Sequence, residues 1–230
     1  MTNTFISGAN RGLGYETARR LIEAGHEVWT GARDPARGRI AAKELGARFV
    51  QLDVTDDASV AAAAATLGEE AGHLDVLINN AGILGSPVAA DEVTVQDMQD
   101  AYDTNVFGIV RVTQAFLPLL RAASSPSVVN LTSGLGSFAL TSDPERVESQ
   151  FPLVPYCSSK SAVTMLTMQY AKSLPEIKFN AVDPGQTATD FTGHAGQPIE
   201  QGTDAVVAIA TLGDSTPTGT FTDRDGVVPW

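Results

Sequence analysis

The sequence holds one cysteine, Cys157, and three histidines, His26, His73 and His194. A single thiol excludes an internal disulfide and any cysteine-based zinc centre, and it suits a reducing compartment. The histidines are scattered, with no HExxH-type pair, so no metal site is expected. Basic residues are scarce too: 15 lysines and arginines stand against 27 acidic residues, a net charge of −12. With no local basic cluster, that balance disfavours nucleic acid and anionic membrane surfaces as partners. No run of about 18 apolar residues occurs, so no transmembrane helix is expected. The opening MTNTFISGANRGLG lacks the basic stretch and apolar run of a secretory signal. The expected location is the cytoplasm.

What is present suffices for a folded core: 43% of the residues are hydrophobic and only 18% are charged. The middle of the chain has no linker rich in Pro, Gly or charge, so residues 1–230 read as one domain. Apolar runs alternate with stretches of helical spacing. Strands are predicted over 4–7, 27–30, 48–52, 76–78, 128–131, 179–182 and 220–222. Helices are predicted over 15–24, 35–45, 57–71, 156–172 and 199–212, with two more inside 98–122. VLIN and SVVNL are apolar throughout, as strands are when helices cover both faces of a sheet. The predicted fold is α/β: a single-domain, doubly wound Rossmann fold, its parallel sheet of about seven strands flanked by helices on both faces and its ligands at the carboxyl ends of the strands. The alanine run at 61–65 is an ordinary helix interior.

Ser7-Gly8-Ala9-Asn10-Arg11-Gly12-Leu13-Gly14 joins the first strand to the first helix, where backbone amides and a helix N-terminus meet a pyrophosphate. Gly8 permits the tight turn, Gly12 the approach of phosphate and Gly14 the packing of helix on strand; the spacing is GxxxGxG. A glycine triplet alone is often only a turn. The end of the second strand, Thr30-Gly31-Ala32-Arg33-Asp34, is where an NAD-binding fold places an acid for the ribose hydroxyls. If Ala32 occupies that position, Arg33 and Arg11 can pair with a 2′-phosphate, which favours NADP(H) while leaving NAD(H) possible. A shift of two positions would instead aim Asp34 at the ribose, and a solvated Arg33–Asp34 surface pair is the plain alternative. Asp53, with Val54 beside it, can meet the adenine, or Asp53 can cap the next helix.

Tyr156 and Lys160 stand four residues apart on a predicted helix, so both face one ligand. A nearby ammonium favours the phenolate of a tyrosine otherwise too weakly acidic for neutral pH. Such a pair is common on protein surfaces, and the other motifs give it meaning. SGANRGLG at 7–14, Asn79-Asn80-Ala81-Gly82 after the fourth strand, Ser133 after the fifth, and the YxxxK of Tyr156 and Lys160 occur in one order. In that order they closely resemble the short-chain dehydrogenase/reductase family over nearly the whole chain. Asp183-Pro184-Gly185 with Thr187 and Thr189 is similar to the family's proline–glycine motif near the nicotinamide, and Asn105 matches the asparagine of its catalytic tetrad. Ser7 replaces the family's usual threonine and keeps the hydroxyl.

The resemblance implies a hydride transfer in which Tyr156 is the acid/base, Ser133 orients the carbonyl oxygen, and Lys160 binds the nicotinamide ribose and lowers the Tyr156 pKa. It further implies that Asn105 holds a water linking Lys160 to solvent, and that Asn80, Ala81 and Gly82 pass along the cofactor. Each residue also has a duller reading: Ser133 as a cap, Asn105 as an ordinary helix residue, Asn79 and Asn80 as turn formers, Cys157 as a packed hydrophobe. His194 has no partner that defines a role.

Between Ser133 and Tyr156 the chain is longer than the family's compact spacing. Segment 134–155, with Phe138, Leu140, Phe151, Leu153 and Pro155, is expected to wall a substrate pocket together with the loop 186–200, of which Phe191 to Pro198 is expected to lie over the cofactor as a mobile lid. Apolar walls imply a hydrophobic ketone or aldehyde as the small-molecule substrate. The insertion, the GARDPARG segment and the ending TGTFTDRDGVVPW resemble the carbonyl reductase branch. Family members form homodimers or homotetramers through helices around 105–122 and 156–172, while some carbonyl reductases are monomers, and both states stay open. The rival readings are an alcohol dehydrogenase running oxidatively and a dinucleotide-binding sensor without turnover.

Overall fold

A computed structural model describes residues 2–230. The apolar runs form strands β1 (Thr2–Ser7), β2 (His26–Ala32), β3 (Arg48–Gln51), β4 (Val76–Asn79), β5 (Ser127–Leu131), β6 (Lys178–Val182) and β7 (Thr220–Asp223), and Gly226–Val227 adds β8. They make one sheet in the order β3-β2-β1-β4-β5-β6-β7-β8. Every neighbouring pair is parallel except the β7–β8 hairpin. The sheet therefore has eight strands where about seven were expected. The eighth is two exposed residues with no apolar signal, turned back by Asp223, whose carboxylate accepts from the amides of Asp225 and Gly226.

Neighbouring residues along a strand face opposite ways, and here both faces are buried. Phe5, Leu77, Val128 and Phe179 pack with Phe116 and Leu120 on one side. Ile6, Ile78, Val129 and Val182 pack with Ala18, Leu21, Val206 and Ile209 on the other. The covering helices are α1 (Gly12–Glu23), α2 (Pro35–Leu45), α3 (Asp57–Ala71), α4 (Val95–Tyr102), α5 (Gly108–Arg121), α6 (Phe138–Ser142), α7 (Val154–Ser173), α8 (Ile199–Gly202) and α9 (Asp204–Ala210). None of the described helices is long and apolar enough to cross a membrane.

Three local features bear on the site. Helix α4 runs into α5 through a π-turn, Asp103–Phe107, as expected of an insertion at a functional position. The helix expected over 199–212 is broken at Thr203, where the Arg20 guanidinium donates to the Glu200 carbonyl, the Thr203 hydroxyl and the Asp204 carboxylate. Asn79 is wholly inside: its amide donates to Asn130 at 2.8 Å, and Asn130 donates to Thr167 at 2.9 Å. This buried polar chain ties β4 and β5 to α7, each group satisfied by the next.

Phe116 is fully buried with its ring centroid 4.7 Å from that of Phe5. Phe116→Ala should lower stability by about 3–5 kcal/mol, read as a reduced urea midpoint; an unchanged midpoint would place the core elsewhere.

Candidate active site

The strand order reverses direction between β1 and β4, and a cleft of about 800 Å³ opens at the carboxyl ends of the strands there. The glycine turn forms one wall. Gly8 and Gly12 have φ of +68° and +57°, a conformation costly to residues with a Cβ. A Cβ on Gly8 would sit 3.0 Å from the Ala81 Cα, and one on Gly14 would sit 2.6 Å from the Gly8 carbonyl oxygen. The glycines thus let the turn after β1 lie directly against the turn after β4. Ser7 fastens the two: its buried hydroxyl accepts from the amides of Asn80 and Ala81 at 3.0 and 3.1 Å. Asn80 returns the contact by donating to the carbonyls of Ser7 and Gly8.

At the other end of the cleft stand Ser133, Tyr156 and Lys160. Ser133 follows β5, and its hydroxyl lies close enough to the Tyr156 phenol to favour the phenolate. Tyr156 and Lys160 are one turn apart on α7 and both buried, with Nζ 5.6 Å from the phenol ring centre and donating to the Leu131 carbonyl at 2.9 Å. Asn80, Ala81 and Gly82 bridge the two ends, and Pro184, Gly185, Thr187 and Thr189 line the side beyond β6. Elements distant in sequence thus bring a glycine cradle and a phenol–ammonium–hydroxyl group to one cleft.

The short chain dehydrogenase family model matches residues 2–200. The chain belongs to the short-chain dehydrogenase/reductase family. It is 32% identical to (-)-isopiperitenone reductase of Mentha piperita, over 96% of this chain and 95% of that protein. It is 37% identical to the short-chain dehydrogenase anuI of Penicillium roqueforti, over 90% and 88%. The solved structure of an NADPH-bound carbonyl reductase from chicken fatty liver superposes with a TM-score of 0.88 at 29% identity, covering 100% of this chain and 99% of that one. The alignment with the mint reductase spans 301 positions, more than the 230 residues of this chain, so that enzyme carries insertions absent here. The protein is an oxidoreductase of this family.

Within the dehydrogenase, Asn10, Arg11, Leu13, Arg33, Asp53 and Val54 also line the cleft, at the end away from Tyr156. Ala32 closes β2, and Arg33 follows it, exposed at the cleft and in no ion pair among the described residues. Asp34 does not turn toward the cleft. It caps α2, accepting from the amides of Ala36 and Arg37 at 2.9 and 3.2 Å, and its ion-pair partner is Arg37 rather than Arg33. Asp53 binds the amide and hydroxyl of Thr55, while Asp56 caps α3. Arg11 lies 2.9 Å from Asp190 across the cleft mouth, both exposed.

One expectation needs correction. Phe138 is not a wall of this cleft: it is 74% exposed and borders a shallower groove on the outer side of α7. Ser137 caps α6 and points its first residue outward, so Leu140 rather than Phe138 turns in, packing against Ala181, Phe221 and Val228. Asn105 sits in the π-turn, buried and behind the cleft lining. Its amide donates to the Ile83 carbonyl and the Ser159 hydroxyl, and its oxygen accepts from the Ile83 amide. Both N–H groups of Asn105 are so engaged, and a Cβ on Gly82 would lie 3.3 Å from Asn105 Oδ1 and 3.6 Å from Lys160 Nζ. Phe151, Leu153 and Phe191 do line the cleft, joined by Val147, Leu135 and Leu84, which the sequence reading missed. Segment 186–200 folds back on itself, its Gln197 donating to the Pro184 carbonyl at 2.7 Å.

Burial is the largest influence on both titrating groups. It pushes the Tyr156 phenol above its ordinary range, with the Ser133 hydroxyl pulling the other way. It lowers Lys160 from 10.5 to about 8, against the favourable charge of Asp183. Lys160 is therefore still a cation at neutral pH, and Tyr156 still holds its proton. From about pH 8 to 10.5 the unfolded chain keeps a lysine proton that the folded protein has released, so this group makes stability rise with pH in that window. The stability difference between the wild type and Lys160→Met should move toward the wild type as pH rises from 8 to 10; a difference constant with pH would refute the assignment.

Proposed function

We propose that this dehydrogenase reduces an apolar ketone or aldehyde to the alcohol with NADPH, Tyr156 supplying the proton. The observation that carries the reading is the meeting of Tyr156, Ser133 and Lys160 with the glycine cradle in one cleft beneath an apolar rim. Gly8, Asn10, Gly12, Leu13 and Gly14 would hold the pyrophosphate, where a glycine-rich turn adjoins the N-terminus of α1. Asp53 and Val54 would meet the adenine, and Arg33 and Arg11 a 2′-phosphate. Asn80, Ala81, Gly82, Pro184, Gly185, Thr187 and Thr189 would flank the nicotinamide, with Lys160 toward its ribose.

When bound, the dinucleotide supplies a hydride to the carbonyl carbon. Tyr156 Oη donates its proton to the carbonyl oxygen, and the Ser133 hydroxyl donates a hydrogen bond to the same oxygen. Burial keeps the phenol protonated until substrate arrives, and the Lys160 cation then offsets the charge left on the phenolate. The carbonyl of Leu131 fixes the lysine, and the π-turn around Asn105 positions Ser159, one residue before it. Phe151, Leu153, Val147 and Phe191 form an apolar rim that suits a hydrophobic substrate and excludes water from the transfer. Phe191 sets its ring centroid 5.9 Å from that of Tyr156, which supports segment 186–200 as the cover of the reacting centre.

The reaction is tested by a panel of apolar ketones and aldehydes followed by loss of reduced-cofactor absorbance. Binding of NADPH with no reduction of any member would favour a sensor. Tyr156→Phe should lower kcat by about 10²–10⁴-fold with NADPH affinity kept, since only the proton donor is lost; near-normal kcat would assign the acid elsewhere. Arg33→Asp should raise KM for NADPH by about 10–100-fold, the worth of a charge-assisted hydrogen bond, and leave that for NADH nearly unchanged. Equal effects on the two cofactors would move the 2′-phosphate to another group.

A further inference from the structure

Asp183 lines the cleft just beyond the carboxyl end of β6, and no step above uses it. One carboxylate oxygen accepts from the Gly185 amide at 2.8 Å. The Gly134 amide faces the same carboxylate, and a Cβ on Gly134 would stand 2.9 Å from its other oxygen. One side chain therefore touches two turns: the one that carries Ser133 after β5 and the one that carries Pro184 and Gly185 after β6. Tyr156 and Lys160 of α7, Glu148 of the turn at 147–150 and Asp223 of β7 also face it. Among the described residues it forms no ion pair within 4.0 Å, and Glu148 is engaged by Arg146.

Asp183 is half-buried, and a carboxylate partly withdrawn from water is costly unless hydrogen-bond donors meet it. Here the Gly185 amide donates to one oxygen, and the turn at Gly134 lies against the other, its amide near enough to favour the charged form. An ionised acid presents acceptors on both oxygens and no hydrogen to set against either amide. An asparagine of the same shape would present an N–H₂ to one of the two amides, donor against donor. The nearest link of the chain to this clamp is Ser133, adjacent to Gly134, and its hydroxyl must meet Tyr156 and the substrate oxygen together.

We propose that Asp183 is a positioning residue, its carboxylate clamping the Ser133–Gly134 turn to the Pro184–Gly185 turn so that the Ser133 hydroxyl stays aligned with Tyr156. The role rests on carbonyl reduction as the reaction, but the clamp itself is measurable without turnover. In Asp183→Asn, amide hydrogen exchange at Gly134 and Gly185 should accelerate together by about tenfold or more, while exchange in β1 and α1 stays unchanged. Faster exchange at Gly185 alone would overturn the clamp. In turnover, Asp183→Asn should lower kcat about tenfold or more with KM for NADPH within about twofold, since small misplacements of a catalytic group have large effects. The same substitution added to Ser133→Ala should have almost no further effect on kcat, because the group it positions is gone. Equal loss in both backgrounds would mean a general structural role and would also overturn the proposal. Should Asp183→Asn fail to fold, Asp183→Ser, with one acceptor for two amides, serves in both measurements. A wild type that reduces no carbonyl compound would remove the reaction and leave hydrogen exchange to decide the clamp.

Discussion

The close approach of two turns, one after β1 and one after β4, is the constraint from which the rest of the site follows. Gly8 and Gly14 leave no room for a side chain between them, and the Ser7 hydroxyl collects the amides of Asn80 and Ala81. Because both turns are fixed to adjacent parallel strands, the cleft at the sheet's switch point has a rigid floor. The segments that differ most among enzymes of one fold, 134–155 and 186–200 here, can then vary around a constant base.

Above that floor the chemistry is governed by exclusion of water. Tyr156 and Lys160 are buried on one face of α7, and burial moves their proton affinities in opposite directions. A phenol made a weaker acid keeps its proton. An ammonium made a stronger acid remains charged at neutral pH because its pKa settles at about 8 and goes no lower. The sequence reading had the lysine lower the pKa of the tyrosine, whereas in this structure burial is the largest influence and raises it. The two effects are compatible: burial sets the resting protonation, and in the proposed reaction the adjacent charge would act on the phenolate once a proton has left.

The parts of the fold that were legible in the sequence are those governed by local periodicity. The apolar strands, the glycine turn and the one-turn spacing of Tyr156 and Lys160 all follow from residues near one another in the chain. What was not legible depends on partners far away. The break at Thr203 is made by Arg20, the inward turn of Leu140 in place of Phe138 by the cap at Ser137, and the contact of Asp183 with Gly134 by the pairing of β5 with β6. Asp34 is different, since its signal was present: an aspartate followed by Pro35 is a helix start, and reading it so would have removed it from the ribose at once.

That capping aspartate has a consequence for how the protein can change. One oxygen of that carboxylate is held by two amides of α2, so the start of the helix rests on Asp34, while its neighbour Arg33 stands exposed at the cleft with no part in the cap. Position 33 can vary without unseating the helix, and position 34 can be preserved through such variation. Adjacent residues of one short loop are in this sense independent, and the side chain that faces the cleft there can change without passing through a loss of folding.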